Sequence, residues 1–544
     1  MSVKPSKEKL VSNDPVDVLI IGAGASGAAM AWSLAETRMK ILCLEQGEWV
    51  NPADYPSTSL DWELKSFGEF SYSPNTRKRS VDYPINEKNS PIKVANFNGV
   101  GGGTILYAAH FPRFHPSDFK VKSLDGVADD WPIDYQTLEP FYAENDQMVG
   151  VAGLKGDPAY PDKEVSMSPV PLGVLGETLA RGFNEKGWHW WPSDSAIATE
   201  PYDGRDKCVN LGPCTTGCSQ GAKASTDITY WPHALRAGVE LRTRCRVKEI
   251  TVDEGGMASG VIYFDENGHE QIQKAEVVVV ACNGIGTPRL LLNSTSIAFP
   301  NGIANSSGMV GKNLMFHPYG HVQGMFDQPL KGYQGPGGCC IWSQEFYETD
   351  ESRGYLRGYT MEIFRGKGLV SSAISGMTAG TIPWGKGHHD AYLREFDKSA
   401  GMVIICEDLP ELHNTVTLDP DLVDSDGMPA PKIDYTLSEN SRRMLDHGMA
   451  RGKEALIAAG AYEVNSHGPI AHAGWHNMGT ARMGIDPQTS VVNEWGRSHD
   501  VKNLFIVDGS IFVTSAGVNP TSTIQALALY IADAMKKRLA NLFD

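Results

Sequence analysis

The chain has 544 residues, more than one hydrophobic core can organise, and its 41% apolar and 21% charged content is that of an ordinary globular protein, not a disordered or fibrous one. A formal net charge of −17 argues against nucleic acid or an anionic membrane as partner, because phosphates would be repelled over most of the surface. The basic runs Arg77-Lys78-Arg79 and Lys536-Lys537-Arg538 are too short to reverse this and read as a solvated face and a helix C-terminus. No apolar segment or twin arginine in the first residues suggests a signal peptide, so the expected compartment is the cytoplasm, export bound to a signal-bearing partner being the other route. Nine scattered cysteines, an odd number, do not form a disulfide framework.

In chain order, Asp17-Val-Leu-Ile-Ile21 is a short apolar run of the kind that makes a buried parallel strand. It leads directly into Gly22-Ala-Gly24-Ala25-Ser26-Gly27 and an alanine-rich helical stretch to Thr37, and a second strand, Lys40 to Leu44, ends at Glu45. Val18 to Ala35 carries no charge and is barely long enough for a membrane span, but its three glycines fit a strand, turn and helix instead. In such a βαβ unit the glycines let backbone approach a pyrophosphate lying on the helix N-terminus, and Glu45 is placed to accept hydrogen bonds from ribose hydroxyls. The motif serves NAD and FAD alike, while an acid at Glu45 disfavours the 2′-phosphate of NADP.

A polar stretch runs to about Lys93, followed by a second glycine loop, Asn98-Gly99-Val-Gly-Gly102-Gly103-Thr104. Residues 174 to 186 look helical and residues 236 to 285 look like short strands. Glu276 to Cys282 is a buried strand, and the segment from Asn283 turns into a helix. From 315 to 465 short apolar strands alternate with turns, as at Met402 to Cys406 and Asn414 to Leu418. Asn503 to Val507 is a last buried strand before Asp508 and Gly509, and Pro520 opens a helix with Ile524, Leu527, Ala528 and Ile531 on one face. Nucleotide-fold pieces thus come from the start, middle and end of the chain. Such interleaving with a C-terminal strand and helix is the habit of flavoproteins, so the expected fold class is α/β: a discontinuous FAD-binding Rossmann-like domain (14–150, 220–314 and 466–544), a cysteine-containing segment (151–219) and a mixed-sheet substrate domain (315–465).

These motifs resemble those of the glucose–methanol–choline oxidoreductases along essentially the whole chain. The resemblance rests on the first glycine motif, the loop Gly99 to Thr104, the segment Ala281-Cys-Asn-Gly-Ile-Gly-Thr-Pro288, and two C-terminal signatures. The latter are His476-Asn-Met-Gly-Thr-Ala-Arg-Met-Gly484, and Val507-Asp-Gly-Ser510 leading to Val518-Asn-Pro-Thr521. Arg113 to Phe119 and Trp131 to Tyr135 are similar to the branch that holds gluconate, glucose, fructose and sorbitol dehydrogenase subunits and related sugar or glycoside oxidases. The resemblance implies that His476 abstracts the proton of a substrate alcohol while hydride leaves its carbon for FAD, a task suited to imidazole. It implies that Asn519 fixes the substrate hydroxyl and that the helix opened by Pro520 and Thr521 aims its positive end at the flavin. Asn98, Val247, Cys282, Asp508 and Gly509 complete the implied cofactor set. The histidine that some members join covalently to flavin would fall at Leu106, which cannot form that bond, so FAD is expected to be dissociable. His317, His115 and His472 read as core or surface residues.

Cys208, Cys214 and Cys218 resemble the segment of sugar dehydrogenase subunits that carries a three-iron (3Fe-4S) cluster able to pass electrons to a partner. Three reduced structural cysteines fit the same spacing. Trp188-His-Trp-Trp191 fits either a sugar-stacking platform or a domain edge. The implied partners are a small alcohol or sugar, oxygen or another electron acceptor, and a possible small or electron-accepting subunit, with no membrane span. The competing readings are a nicotinamide-dependent dehydrogenase and a non-catalytic flavoprotein electron-transfer subunit.

Overall fold

The computed structural model describes residues 14–366 and 368–538. Its first sheet grows from the near-continuous apolar strand Val16–Ile21, buried on both sides. Parallel neighbours build outward in the order Glu240–Arg242, Ile41–Leu44, Val16–Ile21, Glu270–Val280 and Leu504–Ile506. Buried parallel strands need both faces covered. Helices Ala25–Leu34, Tyr135–Val149 and Thr521–Arg538 pack together on one side to supply that cover. The uncharged run from Val18 is therefore divided between a strand and a helix, and among the described residues no helix is long and apolar enough to cross a membrane. The lower half of Glu270–Val280 also carries an antiparallel meander with Ala258–Phe264 and Arg246–Val252.

A second, antiparallel sheet has six strands in the order Glu463–His467, Tyr319–Met325, Ser399–Cys406, Tyr359–Phe364, Cys339–Ser343 and Trp191–Pro192. Its two faces differ. Helix Glu439–Ala458 lies on one face, where Gly448 and Gly452 let the helix backbone come down onto Ile404, Val322 and Met402. Helix Gly173–Lys186 packs beside it, with Gly182 against the carbonyl of Ala455. The other face, carrying Tyr319, Val403 and Phe364, is turned toward the C-terminal edge of the first sheet. A small sheet of Thr415–Val423, Pro429–Asp434 and Asn86–Asn89 joins the two by bracing helix Asn283–Asn293. The strands expected at Met402 and at Asn414 both form, but they join different sheets.

The contact between helix and roof sheet is tight enough to test. A Cβ at Gly448 would sit 2.5 Å from Ile404 Cγ2. Gly448→Val should therefore destabilise the protein by about 1–3 kcal/mol through overpacking, read as a lower urea midpoint. An unchanged midpoint would show that this face is loosely packed.

Candidate active site

The turn after the first strand is built by steric exclusion. Gly22 has φ +101°, and a Cβ there would lie 2.5 Å from the carbonyl oxygen of Ala281. A Cβ on Gly27 would meet Gly22 O at 2.0 Å, so that glycine serves the packing of the helix on the turn. The second glycine loop docks on the first: Gly101 N donates to Ala23 O at 2.9 Å, and a Cβ on Gly102 (φ +51°) would come within 2.8 Å of Gly24 Cα. Glu45 is buried and accepts from Ala23 N and Gly47 N, both at 2.8 Å, fixing the turn it closes. Burial raises its carboxyl pKa, against the lowering effect of those amides. Asp508 accepts from Asn283 N, Thr287 Oγ1 and Ser510 N, tying the last strand to the helix after the middle one.

These turns and the mixed face of the six-stranded sheet enclose a cavity of about 500 Å³. Of the residues the sequence proposed for cofactor or catalysis, Gly27 alone does not line it, apart from the three cysteines. Helices Ala25–Leu34 and Thr521–Arg538 both begin at the cavity wall and present N-terminal amides and partial positive charge to it. The carboxamide Oδ1 of Asn519 has no hydrogen-bond partner.

His476, half-buried, faces the cavity from the opposite wall. Its Nδ1 lies 2.7 Å from Nδ1 of His317, whose Nε2 reaches the carbonyls of Ala516 at 2.8 Å and Ser515 at 3.1 Å. Carbonyls only accept, so His317 Nε2 carries the proton. Burial pushes the His317 pKa down to about 4, so its ring is neutral and Nδ1 is a bare acceptor. His476 Nδ1 must then donate, and the lone pair of His476 is confined to Nε2. Burial first, then His317 and His110, holds the His476 pKa well below the ordinary imidazole value. The arrangement is a neutral imidazole with its tautomer fixed from behind. His317, expected as a core residue, is wholly buried but touches His476 directly.

Of the two readings of Cys208, Cys214 and Cys218, the iron–sulfur site is not supported. Among the described residues no three Cys, His, Asp or Glu side chains gather to hold a metal ion. Cys214 Sγ accepts from Gly337 N, Cys208 Sγ accepts from Asn210 N, and Cys208 and Cys218 pack against a small apolar cluster. Burial first, with the neighbouring Cys214 and Cys218, pushes the Cys208 thiol up to about 11. Trp188 and Trp191 likewise lie outside the cavity, Trp188 edge-on to Phe346 and Trp191 donating to Leu154 O.

Residues 16–319 and 410–528 match the N-terminal and C-terminal profiles described as GMC oxidoreductase. The chain belongs to the GMC oxidoreductase family. It is 41% identical over 540 residues to 2-methyl-1,2-propanediol dehydrogenase of Mycolicibacterium austroafricanum, covering 98% of this chain and 97% of that one. It is 29% identical to the fructose dehydrogenase large subunit of Gluconobacter japonicus, over 95% of this chain and 97% of that one. A variant of Aspergillus oryzae RIB40 formate oxidase shares the fold, with a TM-score of 0.65 at 15% identity over 97% of this chain and 99% of that one. As a GMC oxidoreductase, the protein is an FAD-dependent enzyme that acts on CH–OH donors.

The residues present fit FAD. The glycines at 22 and 102 let the loops pack on Ala281 and Gly24, which brings bare main chain to the cavity wall beside two helix N-termini, the combination that receives a pyrophosphate. Sequence reasoning missed His110, Tyr319, Phe364, Val403 and Trp475, which also line this GMC cavity, and the role of His317. They come from the second sheet and distant loops, and no local motif marks them. The close approach of the glycine loops makes a direct prediction. Gly102→Ala should bind FAD about tenfold more weakly or worse, from a strained positive φ and contact with Gly24. The flavin-to-protein absorbance ratio after dialysis measures it, with circular dichroism to confirm folding.

Proposed function

We propose that this GMC oxidoreductase oxidises a carbinol carbon of a small polyol, sugar or glycoside, with Nε2 of His476 as the base that takes the hydroxyl proton. The observation that carries the reading is the His317–His476 contact, which presents a proton-free Nε2 to the cavity. Asn519 offers an unpartnered carboxamide oxygen on the same cavity, suited to holding the substrate hydroxyl beside the base. FAD, when bound, supplies the hydride acceptor, and the electrons then pass to oxygen or another acceptor. Removal of the proton makes the alcohol carbon a competent hydride donor, so base and orientation act on one step. The relatives named for a diol and for fructose support a small hydroxylated substrate. Family membership removes the nicotinamide-dependent alternative. A partner subunit is among the electron acceptors this reading admits.

Because Leu106 offers no atom for attachment, acid precipitation should leave the flavin in the supernatant. Flavin retained in the pellet would contradict a dissociable cofactor.

His476→Ala should keep FAD and slow its anaerobic reduction by about 10² to 10⁴, the contribution of a positioned base. The active form is the unprotonated ring, and its pKa is lowered, so activity is lost only as pH falls through that depressed value. In the wild type the reduction rate at saturating alcohol should thus stay level as pH crosses about 6.5, where a free imidazole titrates. Stopped-flow flavin absorbance reads both. A variant that reduces its flavin at the wild-type rate would place the base elsewhere.

A further inference from the structure

One polar pair beside the cavity lies apart from the His317–His476 contact. His110 Nε2 lies 3.3 Å from Glu362 Oε1, and the two side chains are 1% and 0% exposed. None of their four polar atoms, Nδ1 and Nε2 of His110 or Oε1 and Oε2 of Glu362, has a well-formed hydrogen bond. His110 lines the same cavity as His476. Glu362 stands on strand Tyr359–Phe364, directly across from Val403 and two residues from Phe364, both of which line that cavity. It therefore belongs to the mixed face of the roof sheet rather than the face under helix Glu439–Ala458. Trp342 packs on the His110 ring at 4.9 Å and backs the pair from behind.

Buried polar atoms are nearly always satisfied, and leaving one bare costs the full desolvation of that group. Four together, with His110 lining the cavity and Glu362 on the roof strand beside it, mark a place where a ligand completes the hydrogen bonding. The charge state narrows the ligand. Burial drives the Glu362 carboxyl well above the carboxylate range, and drives the His110 pKa down to about 3. A neutral acid beside a neutral imidazole offers both donors and acceptors and no net charge, which matches a hydroxyl group rather than an ammonium or a carboxylate.

We propose that His110 and Glu362 form a second-hydroxyl subsite, so that a vicinal diol or polyol is held at two points, one hydroxyl at His476 and its neighbour at this pair. The inference rests on the reading of His476 as the base for the hydroxyl that is oxidised. It assigns the substrate class to diols and polyols over simple monoalcohols, and it assigns the discrimination to two residues that make no contact with the reacting hydrogen. A monoalcohol leaves the pair unsatisfied, and the diol gains what the monoalcohol forfeits.

The test compares 2-methyl-1,2-propanediol with 2-methyl-1-propanol, and 1,2-propanediol with 1-propanol, as reductants of the flavin in the FAD-loaded enzyme under anaerobic conditions. The wild type should favour each diol over its monoalcohol by about tenfold to a hundredfold in apparent affinity. Glu362→Leu should erase most of that ratio while leaving the monoalcohol reduction rate within a few-fold of wild type. Glu362→Gln, which keeps a donor and an acceptor in the same shape, should retain most of the preference. Flavin spectrum and thermal midpoint confirm that each variant is folded. A wild type without diol preference overturns the subsite, as does a Glu362→Leu that loses both substrates equally or neither. Failure of the base reading looks different: His476→Ala would then reduce its flavin at the wild-type rate with the diol preference intact. Should no alcohol reduce the flavin, titration of the oxidised enzyme with diol still decides. Tighter diol binding by wild type than by Glu362→Leu supports the subsite, and equal binding overturns it.

Discussion

At Gly22 the main chain passes the carbonyl of Ala281 so closely that one added methyl group could not be seated, and the rest of the site follows from that approach. Parallel strands end at a common edge, and the turns leaving them must share the space beyond. Here three of those turns, after Ile21, Val280 and Ile506, crowd together, and a fourth loop at Gly101–Gly102 docks on the first. Asp508 and Glu45 are the polar ties of this crowd, each spending its carboxyl oxygens on backbone or hydroxyl donors of neighbouring turns. What remains along the edge is a trough walled by main chain, with two helix N-termini opening onto it.

The antiparallel sheet answers this trough with a face of a different character. One side is a conventional apolar surface for helix Glu439–Ala458, while the other mixes Tyr319, Val403 and Phe364 with the buried acid Glu362. His317 sits at the seam, between the carbonyls of Ser515 and Ala516 and the ring of His476. A chain of carbonyl, imidazole and imidazole thus carries a fixed donor order from the C-terminal loop to the cavity. The order needs no charge at any member, which is why it survives burial.

The FAD-binding half was legible because its constraints are local. A glycine that must have a positive φ, a strand that must be apolar on both faces and an acid at a strand end each show in a few consecutive residues, as at Gly22, Val18 to Ile21 and Glu45. His476 and Asn519 were legible only through the family resemblance. His317 was not, because its contact with His476 spans 159 residues and nothing near position 317 announces it. His110 and Glu362 are hidden in the same way. The strands at Met402 and at Asn414 have similar local patterns, yet one joins the roof and the other the small sheet, a choice made by pairing partners far along the chain. The three cysteines show the opposite failure. Their spacing suggests a metal site, yet among the described residues no three such side chains gather to hold a metal ion.

The order of strands in the first sheet has a consequence for how the enzyme comes into being. Strand Glu270–Val280 has its first-sheet partners on one side early, but its other edge waits for Leu504–Ile506. At ribosomal rates of about 5–20 residues per second, that edge stays open for roughly 10 to 45 s while the intervening chain is made. An unpaired apolar edge is a template for pairing with another chain. The same late segment supplies helix Thr521–Arg538, whose N-terminus closes the trough. A nascent chain therefore displays its first glycine turn long before the helix that completes the trough has been made.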